Sequence, residues 1–189
     1  MSYTWEIAKE FQFEAGHRVW SQTLNRPDLS ISTDCACKHL HGHSYTIKVW
    51  LGADRLDSTQ MVTDFKNLNF IKTFLDENLD HKFIVDVNDP NFNIITAITL
   101  NKDIPFSKKY RFWNLLDYIK EVDNYLAAET STNIKSHVSG FVVVDFVPTS
   151  ENLAKYLFKH FQKVLGSFAT VIAVELFETK KSSCRYTGD

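Results

Sequence analysis

Three histidines set the first question. His41 and His43 stand two residues apart in a segment, 41–51, that alternates apolar and polar side chains, so on a strand both imidazoles leave the same face. His17 lies on the apolar face of another alternating segment, Phe11–Val19, where Phe11, Phe13, Ala15 and Val19 share its parity. A buried imidazole must find a partner for its polar nitrogens, and one divalent cation satisfies all three rings at once. Zinc bound by three histidines keeps a fourth position open, which is the pattern of catalytic zinc rather than structural zinc. The competing reading is that each ring is hydrogen-bonded without metal, and an H-x-H pair alone is a modest signal. His39 shares the parity of His41 and His43 but precedes the strand.

Other reactive groups stand near these rings in the chain. Cys37 is four residues before His41, and a thiol close to zinc and cationic groups has a depressed pKa and can act as nucleophile or proton acceptor. Cys35 can reach the same place from a flexible loop, and spacing does not choose between the two thiols or exclude an inert loop role. Asp80 and His81 follow a helix. They are either a proton-handling pair presented at its end, or a helix terminus with His81 favourably placed at the negative end of the dipole. Glu178 extends the even-numbered face of a strand that carries Ile172, Val174 and Leu176. That carboxylate ends an exposed strand, or it waits for a guanidine-like N–C–N edge that it can grip with both oxygens.

The elements that must position these groups follow from periodicity. After the two strands, Asp64 caps a helix over roughly 64–79, with Phe65, Leu68, Ile71, Phe74, Leu75 and Leu79 recurring at spacings of three and four. Thr149 and Ser150 offer a cap to a second helix, whose stripe is Leu153, Ala154, Leu157, Phe158, Phe161, Val164 and Leu165, and Gly166 stops it. Val171–Phe177 reads as a strand, and Cys184–Thr187 pairs as a short last one. The ends of the chain therefore predict an α+β fold, an antiparallel sheet covered by helices on one face. The middle, 82–147, is an elaboration: an Asn-rich stretch, a turn near Pro105, an amphipathic helix through Phe112, Leu115, Leu116, Ile119, Val122 and Leu126, and an apolar run, Phe141–Val147, that adds a strand or feeds the second helix.

Composition narrows the function classes. At 189 residues the chain has room for one domain or one domain with an insertion. With 21 Lys and Arg against 23 Asp and Glu it has no global basic field for a polyanion, so nucleic acid is not expected as a partner. No apolar run reaches membrane-span length and the N-terminus has no secretion-signal layout, which places the expected site of action in the cytoplasm. Three cysteines are too few, and odd in number, for a disulfide framework.

The sequence resembles the 6-pyruvoyl-tetrahydropterin synthase and 6-carboxy-tetrahydropterin synthase family. The resemblance rests on Phe13-Glu14-Ala15-Gly16-His17-Arg18, on Cys37-x3-His41-Gly42-His43, on Met61-Val62-Thr63-Asp64-Phe65, on Leu79-Asp80-His81, on Pro148-Thr149-Ser150-Glu151-Asn152-Leu153, and on Glu178-Thr179 ahead of Tyr186. It implies a tunnelling fold, with a four-stranded antiparallel sheet and two helices on one face per subunit. Trimers would close a barrel and two trimers would stack into a homohexamer, with this chain as a single domain over 1–189 interrupted by an insertion at about 86–145. It further implies zinc on His17, His41 and His43, Cys37 as the catalytic thiol, and Asp80 and His81 as a proton relay serving a neighbouring subunit. Glu178 would anchor the pterin, with Thr149, Ser150 and Glu151 near the same ring, and the substrate would be 7,8-dihydroneopterin triphosphate.

The Cys37 spacing resembles the 6-carboxy branch, which serves queuosine biosynthesis and releases acetaldehyde and triphosphate. Cys35 gives the spacing of the 6-pyruvoyl branch of tetrahydrobiopterin synthesis. Two readings of other classes stand beside these. A zinc hydrolase that only activates water would have no use for Cys37, and a pterin-binding module with a structural metal would need Glu178 but neither Cys37 nor His81.

Overall fold

The computed structural model describes residues 3–24, 26–30, 35–98, 112–115 and 136–189. Its strands and helices are β1 (Trp5–His17), β2 (His41–Ala53), α1 (Asn69–Asn78), β3 (Lys82–Asp86), α2 (Phe92–Thr96), β4 (Phe112–Asn114), β5 (Phe141–Val144), α3 (Ser150–Leu165), β6 (Thr170–Thr179) and β7 (Ser182–Tyr186). The strands hydrogen-bond in the order β4-β5-β3-β1-β2-β6-β7. The chain forms two compact units, and β1 and β2 each contribute residues to both.

The first unit comprises Met1–Glu14, His43–Asp80 and Thr149–Asp189. In it β2 pairs antiparallel with β6, and β6 with β7. Alternation decides the faces: Tyr45, Ile47, Val49 and Leu51 are buried, and Ile47, Val49 and Leu51 meet Leu176, Val174 and Val171 across the ladder. A bulge between Trp50 and Leu51 shifts the register, so Val171 takes the place expected for Ile172, which is only half-buried.

Against this sheet packs α3. Its cap is Thr149, whose hydroxyl accepts from the Asn152 amide at 3.3 Å, and its buried stripe is Leu153, Ala154, Leu157, Phe161 and Leu165. Val164, expected in the stripe, is 53% exposed, because the helical turn carries it to the edge of the face that Phe161 and Leu165 bury. Gly166, with φ 57°, closes the helix by donating to the Gln162 carbonyl. The Gln162 carboxamide continues the closure: its Nε2 donates to the Gly166 and Ala169 carbonyls, and its Oε1 accepts from Val171 N at 2.8 Å as β6 begins.

The helix expected over 64–79 is two pieces. Asp64 accepts from Lys66 N at 2.7 Å and closes a tight 3-10 turn, Phe65–Leu68, before α1 starts; Phe65 is therefore 48% exposed rather than buried. Phe70 and Phe74 of α1 meet Phe161 of α3 edge to face, which sets the two helices side by side.

The second unit comprises Ala15–Gly42 and His81–Pro148. Here β3 runs parallel to β1 (Ala15 opposite Lys82, Gly16 opposite Phe83) and parallel to β5, while β4 is antiparallel to β5. Among the described residues the antiparallel strands expected from the two ends of the chain are thus extended by a mixed set from the middle segment. The expected strands are all present as β1, β2, β6 and β7, and the 82–147 segment adds three more. Phe141–Val144 is buried at every residue, as a strand with neighbours on both sides requires. Phe112–Asn114, expected to open a helix, is the strand beside it; residues 116–126 of that expected helix lie outside the described residues. A small core of Val85, Phe92, Ile98, Leu115, Val138, Phe141 and Val143 supports this unit.

Candidate metal centre and its surroundings

Local strand geometry brings the three histidines together. His17 is the last residue of β1, and His41 and His43 are the first and third of β2. Their ligand nitrogens all lie within 4.8 Å of one another. Gly42, between the two β2 histidines, permits the approach: a Cβ there would sit 3.0 Å from the Ala15 carbonyl oxygen and 3.5 Å from Gly16 Cα. His17 is 1% exposed and its ring centroid is 4.5 Å from that of His41. His43 stacks edge-on against Tyr45, which lies flat on Phe13 at 4.9 Å.

Two tautomers are fixed by backbone. His17 Nδ1 donates to the Pro148 carbonyl at 2.6 Å, and His41 Nδ1 donates to the His39 carbonyl at 2.8 Å. A carbonyl can only accept, so in the neutral rings each proton sits on Nδ1 and each Nε2, buried in both residues, carries the lone pair. This is how metal-bound histidines are held by their outer contacts. Zn–N bonds of about 2.1 Å in a tetrahedron separate ligand nitrogens by about 3.4 Å, so rings already within 4.8 Å of each other need only small rotations to close on an ion. The donor set fits zinc. His39, the parity competitor, stands before β2 and serves the site through its carbonyl.

The loop leading into β2 carries the two thiols. Cys37 is half-buried in the 3-10 turn Ala36–Lys38, and its carbonyl accepts from Val19 N at 2.8 Å, which ties it to the chain two residues past His17. Cys35, also half-buried, caps that turn through its backbone. The third thiol, Cys184, lies opposite Leu176, and its pKa is raised by burial first and then by the Glu151 and Glu178 carboxylates, which disfavours the nucleophilic thiolate.

Asp80 and His81 follow α1, whose end is closed by the Leu79 and Asp80 amides both donating to the Leu75 carbonyl. Asp80 Oδ1 accepts from Glu14 N at 2.8 Å. His81 has φ 57°, in the left-handed region, and immediately precedes the Lys82–Ala15 pairing, two residues from His17 along β1. Such backbone is uncommon outside glycine and costs on the order of 1–2 kcal/mol.

At the far end of β6 the pairing with β7 steps from Phe177 to Thr179, so Glu178 is bulged out of the ladder rather than continuing the even-numbered face. Bulges re-aim side chains beside functional sites. Thr149, Ser150 and Glu151 occupy the start of α3, where the Thr149 hydroxyl caps the helix, Ser150 is buried and the exposed Glu151 faces the positive end of the dipole.

Sequence reasoning did not find the Pro148 and His39 carbonyls, the role of Gly42, or the Glu178 bulge. Only Gly42 carries a signal in the sequence, as the small residue enclosed by two histidines.

An α+β sheet that gathers three histidines at neighbouring strand ends, with thiols in the adjoining loop, defines a candidate metalloenzyme of the tunnelling-fold class. The model of the family described as 6-pyruvoyl tetrahydropterin synthase matches residues 6–189, and the chain belongs to that family. A 6-carboxy-5,6,7,8-tetrahydropterin synthase of Aquifex aeolicus is 33% identical over 96% of this chain and 97% of its own length. A 6-pyruvoyl tetrahydrobiopterin synthase of Pongo abelii is 22% identical over 97% of this chain and 92% of its own. Among solved structures, an uncharacterized protein of Wolinella succinogenes superposes with a TM-score of 0.80 at 39% identity, covering 98% of both chains. The 6-pyruvoyl tetrahydropterin synthase of Caenorhabditis elegans shares the fold, with a TM-score of 0.51 at 23% identity over the whole of both chains. The chain is an enzyme of this lyase family, and its sequence lies nearer the 6-carboxy branch.

Proposed function

We propose that the chain is a zinc-dependent lyase converting 7,8-dihydroneopterin triphosphate and one water to 6-carboxy-5,6,7,8-tetrahydropterin with release of acetaldehyde and triphosphate, in queuosine biosynthesis in the cytoplasm. The observation that carries the reading is the convergence of His17, His41 and His43, two of them locked by backbone carbonyls with Nε2 as the ligand atom. Zinc held there supplies a Lewis-acidic position next to the substrate side chain.

The chain's own residues divide the remaining work. Cys37, tethered beside His17 through Val19, accepts a substrate proton as its thiolate and becomes the thiol. His81 moves the second proton, and Asp80, fixed on the Glu14 amide, supports it. Glu178, turned out of its ladder, grips the 2-amino and N3 edge of the pterin, with Thr149, Ser150 and Glu151 beside the ring. The chain works as a single tunnelling-fold domain with an insertion at about 86–145, and a homohexamer of stacked trimers is its working assembly.

Incubation of the zinc-replete, reduced protein with 7,8-dihydroneopterin triphosphate, followed by product mass, tests the reading. The 6-carboxy product with acetaldehyde is expected. A 6-pyruvoyl product would move the enzyme to the other branch and the reactive thiol to Cys35, and no conversion would overturn catalysis on this substrate. Cys37→Ala is expected to abolish turnover with zinc retained.

A further inference from the structure

The short segment that follows the first histidine is held at every residue. β1 ends at His17, so residues 18–20 have no ladder to fix them. Val19 is held through its amide by the Cys37 carbonyl. Its neighbours are held by two carboxylates, Asp86 at the end of β3 and Asp89 in the turn that follows. Arg18 Nε lies 3.1 Å from Asp89 Oδ2, with the Asp89 side chain 1% exposed, and Trp20 Nε1 donates to Asp86 Oδ2 at 2.8 Å.

Both acids are over-determined in turn. Asp86, 2% exposed, accepts from the Asn88 amide and side chain through Oδ1, and Asp89 Oδ1 accepts from Asn91 N at 2.8 Å. Two carboxylates removed from water are costly to keep, and an ion pair in such a place adds little net stability over an apolar pair of similar shape. Stability alone therefore gives no reason for carboxylates here, whereas geometry does. The indole–carboxylate bond is directional, the Arg18–Asp89 ion pair holds its segment by proximity, and together with the Pro148 carbonyl on the His17 ring they restrain both the backbone and the imidazole of that residue.

We propose that Asp89 and Asp86 are positioning residues of the metal centre, which hold Arg18 and Trp20 so that His17 is kept in its ligating pose. The inference rests on the three-histidine metal reading above. It assigns to the end of β3 and the turn that follows a function in the site that is distinct from shaping a substrate pocket.

Metal binding by the full chain tests it without recourse to turnover. Metal-free protein is titrated with Co2+ and with Zn2+ against a chromophoric chelator, and the Co2+ visible spectrum reports the coordination. Wild type is expected to bind one ion per chain with a tetrahedral cobalt spectrum; absence of binding would overturn the metal reading itself, and this proposal with it. Asp89→Asn is expected to lower affinity by about 3- to 10-fold, up to the low end of the range for groups that touch a ligating histidine directly, because Asp89 acts through Arg18. Trp20→Phe removes the indole N–H together with part of the ring's packing, the latter being what the buried-core control below accounts for, and is expected to lower affinity by a smaller factor with an altered cobalt spectrum.

Val138→Ala is the control for destabilisation alone, because Val138 is fully buried in the small core of the same unit and is absent from the 17–20 anchors. It should lower the melting temperature of the metal-free protein yet leave metal affinity within about twofold. Wild-type affinity and spectrum in both Asp89→Asn and Trp20→Phe, or an equal loss of affinity in Val138→Ala, would overturn the proposal.

Discussion

Gly42→Ala isolates how closely the two histidine-bearing strands must approach. Gly42 is not in the left-handed region, so alanine carries no backbone penalty there and any cost is contact. The new Cβ would lie 3.0 Å from the Ala15 carbonyl oxygen and 3.5 Å from Gly16 Cα. An ordinary contact with that oxygen is about 3.4 Å, and the neighbours are backbone atoms of β1, so the strands must part by about 0.4 Å at this point. Overpacking of this kind costs about 1–3 kcal/mol, while removing glycine from the unfolded chain returns about 0.4–1 kcal/mol. The net, about 0–2.5 kcal/mol, corresponds to a melting-temperature loss of up to about 10 °C for a chain of this size. Stability is therefore a blunt readout. Metal affinity is sharper, because ligand constellations tolerate only about 0.5 Å of displacement and the substitution moves His41 and His43 together against His17 by most of that. Chelator competition with Co2+ and Zn2+ should show at least a tenfold loss. Wild-type affinity in Gly42→Ala would refute the claim that strand separation here governs the site.

Three further outcomes follow from the same geometry. His81→Gly should leave the melting temperature unchanged or raise it, since glycine relieves a left-handed backbone worth about 1 kcal/mol, and should at the same time abolish turnover of the pterin; a stability loss larger than that of His81→Ala would contradict the backbone assignment. Gln162→Ala removes three hydrogen bonds joining the end of α3 to the start of β6 and should cost about 1–3 kcal/mol by denaturant titration, with metal affinity unchanged. His160, packed against Phe74 and Tyr156, has its pKa lowered from 6.5 by burial and by Lys163. As pH falls below that value the unfolded chain takes up a proton that the folded chain resists, so stability falls on acidification until the folded pKa is passed. Thermal scans of His160→Phe between neutral pH and pH 5 should show a shallower fall than wild type, and parallel curves would refute the assignment.

How much of this could be read from the sequence depends on the range of the interaction that decides each feature. Alternation along β1 and β2 put Phe11, Phe13, Ala15 and His17 on one face and Tyr45, Ile47, Val49 and Leu51 on another, because a side-chain period of two is a local property of extended chain. The same parity put His41 beside His43, and two further residues of the apolar stripes, Phe65 and Val164, were misplaced only where a 3-10 turn or a helix edge altered the local angle. Ladder pairing and its bulges are not local. The parity of Ile172 and of Glu178 was overturned by register shifts that exist only when β6 meets β2 and β7.

The most distant terms are the ones that prepare the chemistry. The Pro148 carbonyl that sets the His17 tautomer is 131 residues away, and every residue has such a carbonyl, so no residue type encodes the contact. Asp86 and Asp89 are encoded, yet in sequence they are two acids in an Asn-rich turn, the composition of any exposed loop; only their burial against Trp20 and Arg18 marks them as costly and hence purposeful. Residue types and short spacings thus announce which groups can bind a metal, whereas the contacts that hold the His17 ring and the residues after it come from the Pro148 carbonyl and from Asp86 and Asp89, at the end of β3 and just beyond it, where the sequence alone suggested only an elaboration.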